Sequence, residues 1–232
     1  MGGLEKVSDG VWLLRGGVPR SMNAYLIEDE GGVTLFDTGV AQMAKHIQAA
    51  AAPLGGIRRV VLGHSHTDHR GSAPALGAPV YCHPDERKDA ESDGGRHYQD
   101  PKKLPPPSRY VYGPLLRLWD GGPVKIEGTL EEGDVIAGFE VVHLPGHAPG
   151  QIALWRERDR LALSSDVFYT LDARTGFKAS PRPALDAFSL DTEQARASIR
   201  KLAALEPVAA WPGHADPVVG DVRRKLEEAA ER

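Results

Sequence analysis

These 232 residues predict an α/β protein, on three observations. Short runs rich in β-formers alternate with stretches of helical composition. Glycine, proline and aspartate punctuate the junctions between them. Three apolar runs, "VVLGH", "VVHLPGH" and "AAWPGH", each end in Gly-His.

The elements follow in order. "VWLLR" (11–15), "NAYLIE" (23–28) and "GVTLF" (32–36) read as strands separated by Gly, Pro and Asp turns. "AQMAKHIQAAAA" (41–52) reads as a helix that stops at Pro53. "RRVVLG" (58–63) has the continuous apolar stretch of a strand buried on both faces. "APVYC" (78–82) reads as another apolar strand, ending in a buried, inert Cys82. A second αβ pattern begins near Val124, with strands expected at 134–144, 151–155 and 160–164. Asp191 then opens a helix that its side chain can cap, with Gln194 three residues on. A short strand "VAAW" (208–211) and a last helix "DVRRKLEEAAER" (221–232) close the chain.

Between these halves, residues 84–122 change character. Pro84, Pro101, Pro105, Pro106, Pro107 and Pro114 stand among many charges and the aromatics Tyr98, Tyr110, Tyr112 and Trp119. A Pro-rich insert of this length, within one domain spanning 1–232, reads as a lid, a binding loop or an oligomer contact. Its aromatics favour partial order over a flexible linker.

Composition narrows the function. Lys plus Arg number 28 against 32 Asp plus Glu, a net charge of −4 that argues against a broad surface for nucleic acid or anionic membrane. No apolar run approaches the roughly 20 residues of a membrane span, and the first residues lack the apolar core of a signal peptide. The expectation is a soluble cytoplasmic protein, monomer or homodimer, acting on a small molecule with no nucleic-acid or membrane partner. Cys82 is the only cysteine, so there is no internal disulfide, and a metal site must use nitrogen and oxygen ligands.

The chemistry gathers in "HSHTDH" (64–69). Three imidazoles and a carboxylate this close would repel or desolvate one another without a cation between them. Glycine before each strand-end histidine lets the backbone turn sharply and approach a site closely. Three strand ends can thus bring His64, His147 and His214 to one sheet edge, where ligand sites of α/β proteins gather. His66, Asp68 and His69 lie on the first of these loops, and the run "RLALSSD" ends in Asp166. Seven nitrogen and oxygen donors at one edge suit two divalent first-row metal ions. Arg174, Lys178 and Arg182 follow on a Pro- and Gly-broken loop, read as a solvated basic loop rather than a carboxylate clamp. His46 reads as a surface residue. His83, His97 and His143 fall outside the ligand pattern, though His83 and His97 could line a pocket.

With "LFDTG" (35–39), "HSHTDH" (64–69), "LPGH" (144–147), "SSD" (164–166) and "WPGH" (211–214) in this order, the chain resembles the metallo-β-lactamase superfamily over nearly its whole length. The resemblance implies an αββα sandwich, two central sheets with helices outside, the halves meeting at the metal site. It implies that His64, His66 and His147 hold one ion, Asp68, His69 and His214 a second, and that Asp166 bridges the two. Asp37, otherwise readable as a turn carboxylate, would orient the metal-bearing loop. The implied cofactors are two divalent ions, zinc first, with manganese or iron as alternatives. They would convert a bridging water to hydroxide and polarise the bond under attack, while Asp68 passes a proton to the leaving group.

Asp166 stands where zinc β-lactamases usually carry cysteine or serine, which points to the glyoxalase II, lactonase and phosphotriesterase-like branches. Tyr169 matches a tyrosine of quorum-quenching lactonases whose hydroxyl can contact the substrate carbonyl; branches with phenylalanine there suggest an aromatic packed under the site instead. The expected reaction is hydrolysis of an ester-like bond in a lactone, thioester or carboxylic ester. The alternatives are an iron-dependent persulfide dioxygenase of the same fold, and a phosphotriesterase- or β-lactamase-type hydrolase.

Overall fold

The computed structural model describes residues 3–17, 21–106, 108–172 and 175–232. One sheet contains, in spatial as in chain order, β1 (Glu5–Ser8), β2 (Val11–Gly16), β3 (Met22–Asp29), β4 (Gly32–Phe36), β5 (Ile57–Val61), β6 (Val80–Cys82) and β7 (Gly128–Thr129). Pairing is antiparallel from β1 to β4 and parallel from β4 to β7. The later strands are β8 (Val135–Ile136), β9 (Phe139–His143), β10 (Ile152–Arg156), β11 (Leu161–Ser165), β12 (Tyr169–Leu171), β13 (Lys178–Arg182), β14 (Ala209–Pro212) and β15 (Val218–Val219). They form a second sheet in the order β15-β14-β11-β10-β9-β8, with β12 and β13 as a separate ribbon. The helices are α1 (Ala44–Ala51), α2 (Thr67–Arg70), α3 (Ala73–Leu76), α4 (Arg87–Ala90), α5 (Ser108–Trp119), α6 (Thr192–Ala204) and α7 (Val222–Ala230).

Alternation along the strands produces the layers, because successive side chains point to opposite faces of a sheet. Tyr25 and Ile27 of β3 meet Ile152 and Leu154 of β10 and Leu161 and Leu163 of β11 in a core between the sheets. On the outer face of the first sheet, Leu26 and Leu35 pack with Ile47 and Ala51 of α1. On the outer face of the second, Ala153 and Trp155 pack with Ile199 and Leu202 of α6 and Leu226 of α7. Each such fully buried Leu or Ile contributes roughly 1.5–3 kcal/mol relative to exposure. The αββα sandwich expected from the sequence is therefore the fold that forms.

Several elements differ from the sequence expectation, each for a local reason. Residues 134–144 form two strands joined by a tight turn at Ala137 and Gly138, both at positive φ (50° and 76°), not one strand. The first helix tightens at both ends into 3-10 turns and ends at Gly55 (φ 93°), beyond Pro53, because Pro53 sits where a new turn starts and needs no N–H donor. The stretch after Asp166 is a ribbon, Tyr169 pairing with Arg182 and Leu171 with Lys178, rather than a broken loop. The Pro-rich insert carries the twelve-residue α5, with Pro114 inside it. At its N-terminus, α6 is capped as expected, the Gln194 N–H donating to the Asp191 carboxylate over 3.0 Å.

One buried side chain clasps both ends of the insert. Arg70, fully buried at the end of α2, donates to the carbonyls of Asp89 (2.8 Å), Ala90 (2.6 Å) and Ser92 (3.1 Å) and pairs with Asp120 (3.3 Å).

Candidate metal centre

The directions of the strands explain where the histidines fall. β4 and β5 run parallel, and β9, β11 and β14 all run alike in the other sheet, since β10 lies antiparallel between β9 and β11 while β14 is parallel to β11. Their C-terminal ends lead into Asp37, His64, His147, Asp166 and His214, and all five meet at the edge where the sheets abut. Backbone bonds stitch that edge, the Ile152 N–H donating to the Gly63 carbonyl and the Asn23 N–H to the Gly213 carbonyl, each at 2.9 Å. His66 precedes α2 and Asp68 and His69 ride on it, so the motif's second half is a helical turn and not the loop expected.

All seven sequence-predicted ligands come together. His69 and His214 place Nε2 3.2 Å from Asp166 Oδ2, His147 at 3.6 Å and His64 at 4.0 Å. Asp68 Oδ2 lies 3.4 Å from His214 Nε2. The donors fall into three groups whose ligating atoms lie within 4.8 Å of one another: His64, His66 and His147; His64, His69 and Asp166; and Asp68, His69 and His214.

Close approach of the backbone is built into the glycines. A Cβ on Gly213 would sit 2.4 Å from both Asp166 Oδ1 and His69 Cε1, inside contact distance. Gly146 has φ 126° and would drive a Cβ to 2.1 Å from the Ala195 nitrogen. Asp37 and Ser165 take left-handed backbone at φ 56° and 46° as their strands end, conformations that cost a non-glycine residue free energy and recur at functional sites.

Around the donors stands a ring of groups that fix the imidazoles. Asp37 accepts from the Gly63 N–H (2.7 Å) and the Ser165 hydroxyl (2.7 Å) and lies 2.9 Å from His69 Nδ1. His64 Nδ1 lies 3.1 Å from Ser165 Oγ, His147 Nδ1 3.3 Å from Ser189 Oγ, and His66 Nε2 2.9 Å from Tyr98 Oη. Each of these histidines thus has one nitrogen bound to a hydroxyl and one left for the centre, the arrangement that sets ring orientation in metal sites. Glu86, buried beneath, accepts from the Ser65 (2.7 Å) and Gly150 (2.8 Å) N–H groups and ties the two histidine loops together. Sequence reasoning missed Tyr98, Ser165, Ser189 and Glu86; only Ser165, inside "SSD", stood in a motif.

Protonation follows burial and charge. Burial, reinforced by neighbouring imidazoles, holds His64 and His66 well below the usual histidine range, and burial brings His147 to about 4. All three are neutral at pH 7, the form that ligates a metal. At His69 and His214 burial pulls down too, but carboxylates together outweigh it, Asp166 with Asp37 raising His69 well above its usual value and Asp166 with Asp68 raising His214 to about 9. Burial opposes ionisation of Asp166 and Asp68 also, yet His214 and His69 keep Asp166 well below the carboxylate range and Asp68 at about 2.

The buried Nε2 atoms of His64 and His147 and Oδ1 of Asp166 have no hydrogen-bond partner among the described residues. An unsatisfied buried polar atom costs about 1–3 kcal/mol, and a divalent cation accepting these lone pairs would remove that cost. The residues present fit the ions that the sequence implied.

Tyr169 is buried, and its hydroxyl donates to Asp166 Oδ2 over 2.8 Å. Burial, then Asp166, raises its pKa well above the phenol range, so it remains a donor. It lines a cavity of about 340 Å³ that opens over His66, Asp68 and His214 and is walled by α5. The remaining sequence candidates lie elsewhere or are engaged. Lys178 pairs with Asp216 (2.8 Å) and Arg182 with Asp172 (3.4 Å), while Arg174 lies outside the described residues. His46 is exposed, and His83 stacks on His143 with ring centroids 4.0 Å apart. Neither His83 nor His97 is among the described residues lining the cavity. Burial pushes the Cys82 thiol up to about 12. No helix among the described residues is long and apolar enough to cross a membrane.

Comparison with known proteins agrees with this geometry. A family described as the metallo-beta-lactamase superfamily matches residues 17–214. The probable metallo-hydrolase YflN of Bacillus subtilis (strain 168) is 29% identical over 233 residues, covering 90% of this chain and 87% of the relative. The metallo-beta-lactamase family protein TTHA1429 from Thermus thermophilus superposes with a TM-score of 0.69 at 26% identity, over 97% of this chain and 80% of that one. TTHA1623, solved in a di-iron-bound form, does so with a TM-score of 0.63 at 28% identity, over 89% and 93% of the two chains. With the match spanning every predicted ligand from His64 to His214, this chain belongs to the metallo-beta-lactamase superfamily.

Proposed function

We propose that the chain is a hydrolase that holds two divalent ions and cleaves an ester-like bond of a small molecule, a lactone, thioester or carboxylic ester. One observation carries this reading: four imidazole Nε2 atoms, from both halves of the chain, converge within 3.2–4.0 Å of a single carboxylate oxygen, Asp166 Oδ2. His64, His66 and His147 would hold one ion, Asp68, His69 and His214 the other, with Asp166 between them. Bound there, such ions supply an activated water at neutral pH and polarise the oxygen under attack.

The chain's own residues do the rest. Asp37 holds His69 and, through Ser165, His64, so the two ligand groups keep a fixed separation. Asp68, ionised and at the cavity floor, is placed to take a proton and deliver it to the leaving group. Tyr169 keeps its proton, and the Asp166 that receives its hydrogen bond stays fixed; released toward the cavity, the same O–H can donate to a substrate carbonyl. Tyr169→Phe is therefore expected to lower kcat/KM roughly tenfold or more with metal content unchanged. The di-iron form of TTHA1623 supports iron as the competing ion; the second reading is a one-iron dioxygenase acting on persulfides.

The deciding experiment is metal content per chain by elemental mass spectrometry, on protein purified without added metal or a chelating tag, followed by assays on lactones, thioesters and esters. Two ions per chain with turnover of one of these classes supports the hydrolase. One iron per chain with oxygen uptake on persulfides, and no ester turnover, overturns it.

A further inference from the structure

The shape and chemistry of the cavity above the centre go beyond the reaction and bear on the substrate. On one side α5 presents Val111, Tyr112, Leu115, Leu116 and Trp119, spaced so that they share one helical stripe. Met22, Leu171 and Phe188 add further apolar lining. No described residue of α5 is fully buried, so the helix turns its apolar stripe on an open space where a surface helix would normally press it on a core. It is nevertheless anchored: the Tyr112 and Phe188 rings lie 5.1 Å apart, Leu116 joins Phe188 and Leu104 in a small cluster, and Gln42 donates to the Leu118 carbonyl over 2.6 Å. An apolar wall held in place over a polar floor of His66, Asp68 and His214 is the form of a small-molecule site that grips an apolar body while polar groups work on one end.

Charge points the same way. Among the described lining residues the ionisable side chains are those of the floor and two tyrosines, Tyr112 and Tyr169, and none is Lys or Arg. The nearby cations Lys178 and Arg182 are held by Asp216 and Asp172. A substrate carboxylate carried to the α5 end of this cavity, away from the floor, would lose water with no Lys or Arg among the described lining residues to replace it, which is unfavourable. At 340 Å³ the cavity holds on the order of ten non-hydrogen atoms, taking about 30 Å³ for each water-sized unit.

Resting on the hydrolase reading, we infer that the cavity walled by α5 binds the uncharged alkyl part of a medium-chain acyl substrate, about six to ten carbons long, with its ester-like bond over the Asp68 and His214 floor. Transfer of each further methylene from water to the apolar wall then raises kcat/KM by up to about fourfold until the space is filled.

Two measurements on the purified, metal-loaded protein test this. The first is kcat/KM for p-nitrophenyl esters from acetate to dodecanoate, beside an ester of similar length ending in a free carboxylate. The expected profile climbs to about eight or ten carbons and then falls, with the carboxylate-ended ester at least tenfold poorer than its neutral counterpart. Leu115→Gln is expected to lower the octanoate-to-acetate ratio about tenfold. The second needs no turnover: 1-octanol is titrated while tryptophan fluorescence is followed, with 1-butanol as comparison and Trp119→Phe as control. A saturable octanol response, absent in Trp119→Phe and at least tenfold weaker for butanol, supports the alkyl site. A flat chain-length profile together with no saturable octanol response overturns it, leaving the hydrolase reading intact if the esters are cleaved. Octanol binding without cleavage of any ester sustains the alkyl site and overturns the ester-hydrolase reading.

Discussion

Tyr98→Phe removes a single oxygen from this protein and should weaken one metal ion and not the other. Tyr98 Oη lies 2.9 Å from His66 Nε2 and has no other hydrogen-bond partner among the described residues. If Nε2 of His66 faces Tyr98, Nδ1 is the nitrogen left for an ion, and Nε2 must then carry the proton and donate it to the tyrosine oxygen. The tyrosine thereby selects the tautomer that ligates. Losing one such bond costs about 0.5–1.5 kcal/mol net, and removing an outer partner of a ligating histidine typically costs about 10–100-fold in metal affinity. The two ranges meet at about tenfold, near 1.4 kcal/mol. The assay is competition with a chromophoric chelator, resolving the two dissociation constants of the wild type and the variant. One constant should weaken about tenfold while the other stays within about threefold, because no residue holding His69 or His214 has been touched. The melting temperature measured in excess chelator should hardly move, since the ring that packs near His66 (centroids 5.7 Å apart) remains. Two unchanged constants, or equal losses in both, would refute the argument.

Three further outcomes follow from other parts of the molecule. Asp68→Ala should reduce kcat/KM by about 10²-fold or more while circular dichroism remains that of the folded chain; undiminished turnover would remove Asp68 from the mechanism. Gly213→Ala places a methyl 2.4 Å from Asp166 Oδ1 and His69 Cε1, so elemental analysis should find less than about half the wild-type metal; full loading would mean that the β14 end can shift aside. Asp159 accepts from the Arg156 side chain (2.7 and 2.9 Å) and from Ser8 Oγ (2.6 Å), and Arg156 first, then Ser8, holds it below its usual 3.8. A depressed carboxylate contributes stability above its unfolded value, and that contribution is lost as pH falls through the lower folded value. Asp159→Asn should therefore lower the melting temperature at pH 7 by about 2–4 °C per kcal/mol lost, with the gap to wild type closing once the pH drops below 3.8; an equal gap at pH 3 and pH 7 would show that charge is not its cause.

The centre was legible in the sequence because its ligands are attached to strand ends, and a strand end has a local signature. An apolar run, a glycine and a histidine recur at His64, His147 and His214, and pairing of the strands does the assembling. The partners that hold the imidazoles were not legible, because the chain gives no sign of who will stand behind a ring. Tyr98 sits 32 residues from His66, and Ser189 sits 42 from His147. The hairpin at 134–144 escaped because Ala137, at φ 50°, takes a turn conformation usually marked by Gly or Asn. β1 escaped because "EKVS" is mostly polar, with no buried residue, and is a strand only by pairing with β2. The helix inside the insert was masked by Gly113 and Pro114, two residues that discourage helix. Contacts of Tyr112 and Leu116 with Phe188, far away in the chain, override them.

Arg70 gives this arrangement an evolutionary reading. It follows His69 directly and clasps residues 89–92 at one end of the insert and Asp120 at the other. Apart from Tyr98, which holds His66, what lies between those two clasps can change length without tugging on the motif, because a looped segment closed at both ends costs only about 0.6 kcal/mol more when its length doubles. The metal-ligand motif and the α5 wall of the cavity thus lie on separate pieces of chain. Exchanging residues 99–119 for another sequence of the same reach would reshape the α5 wall of the cavity while leaving the ligands and Tyr98 in place.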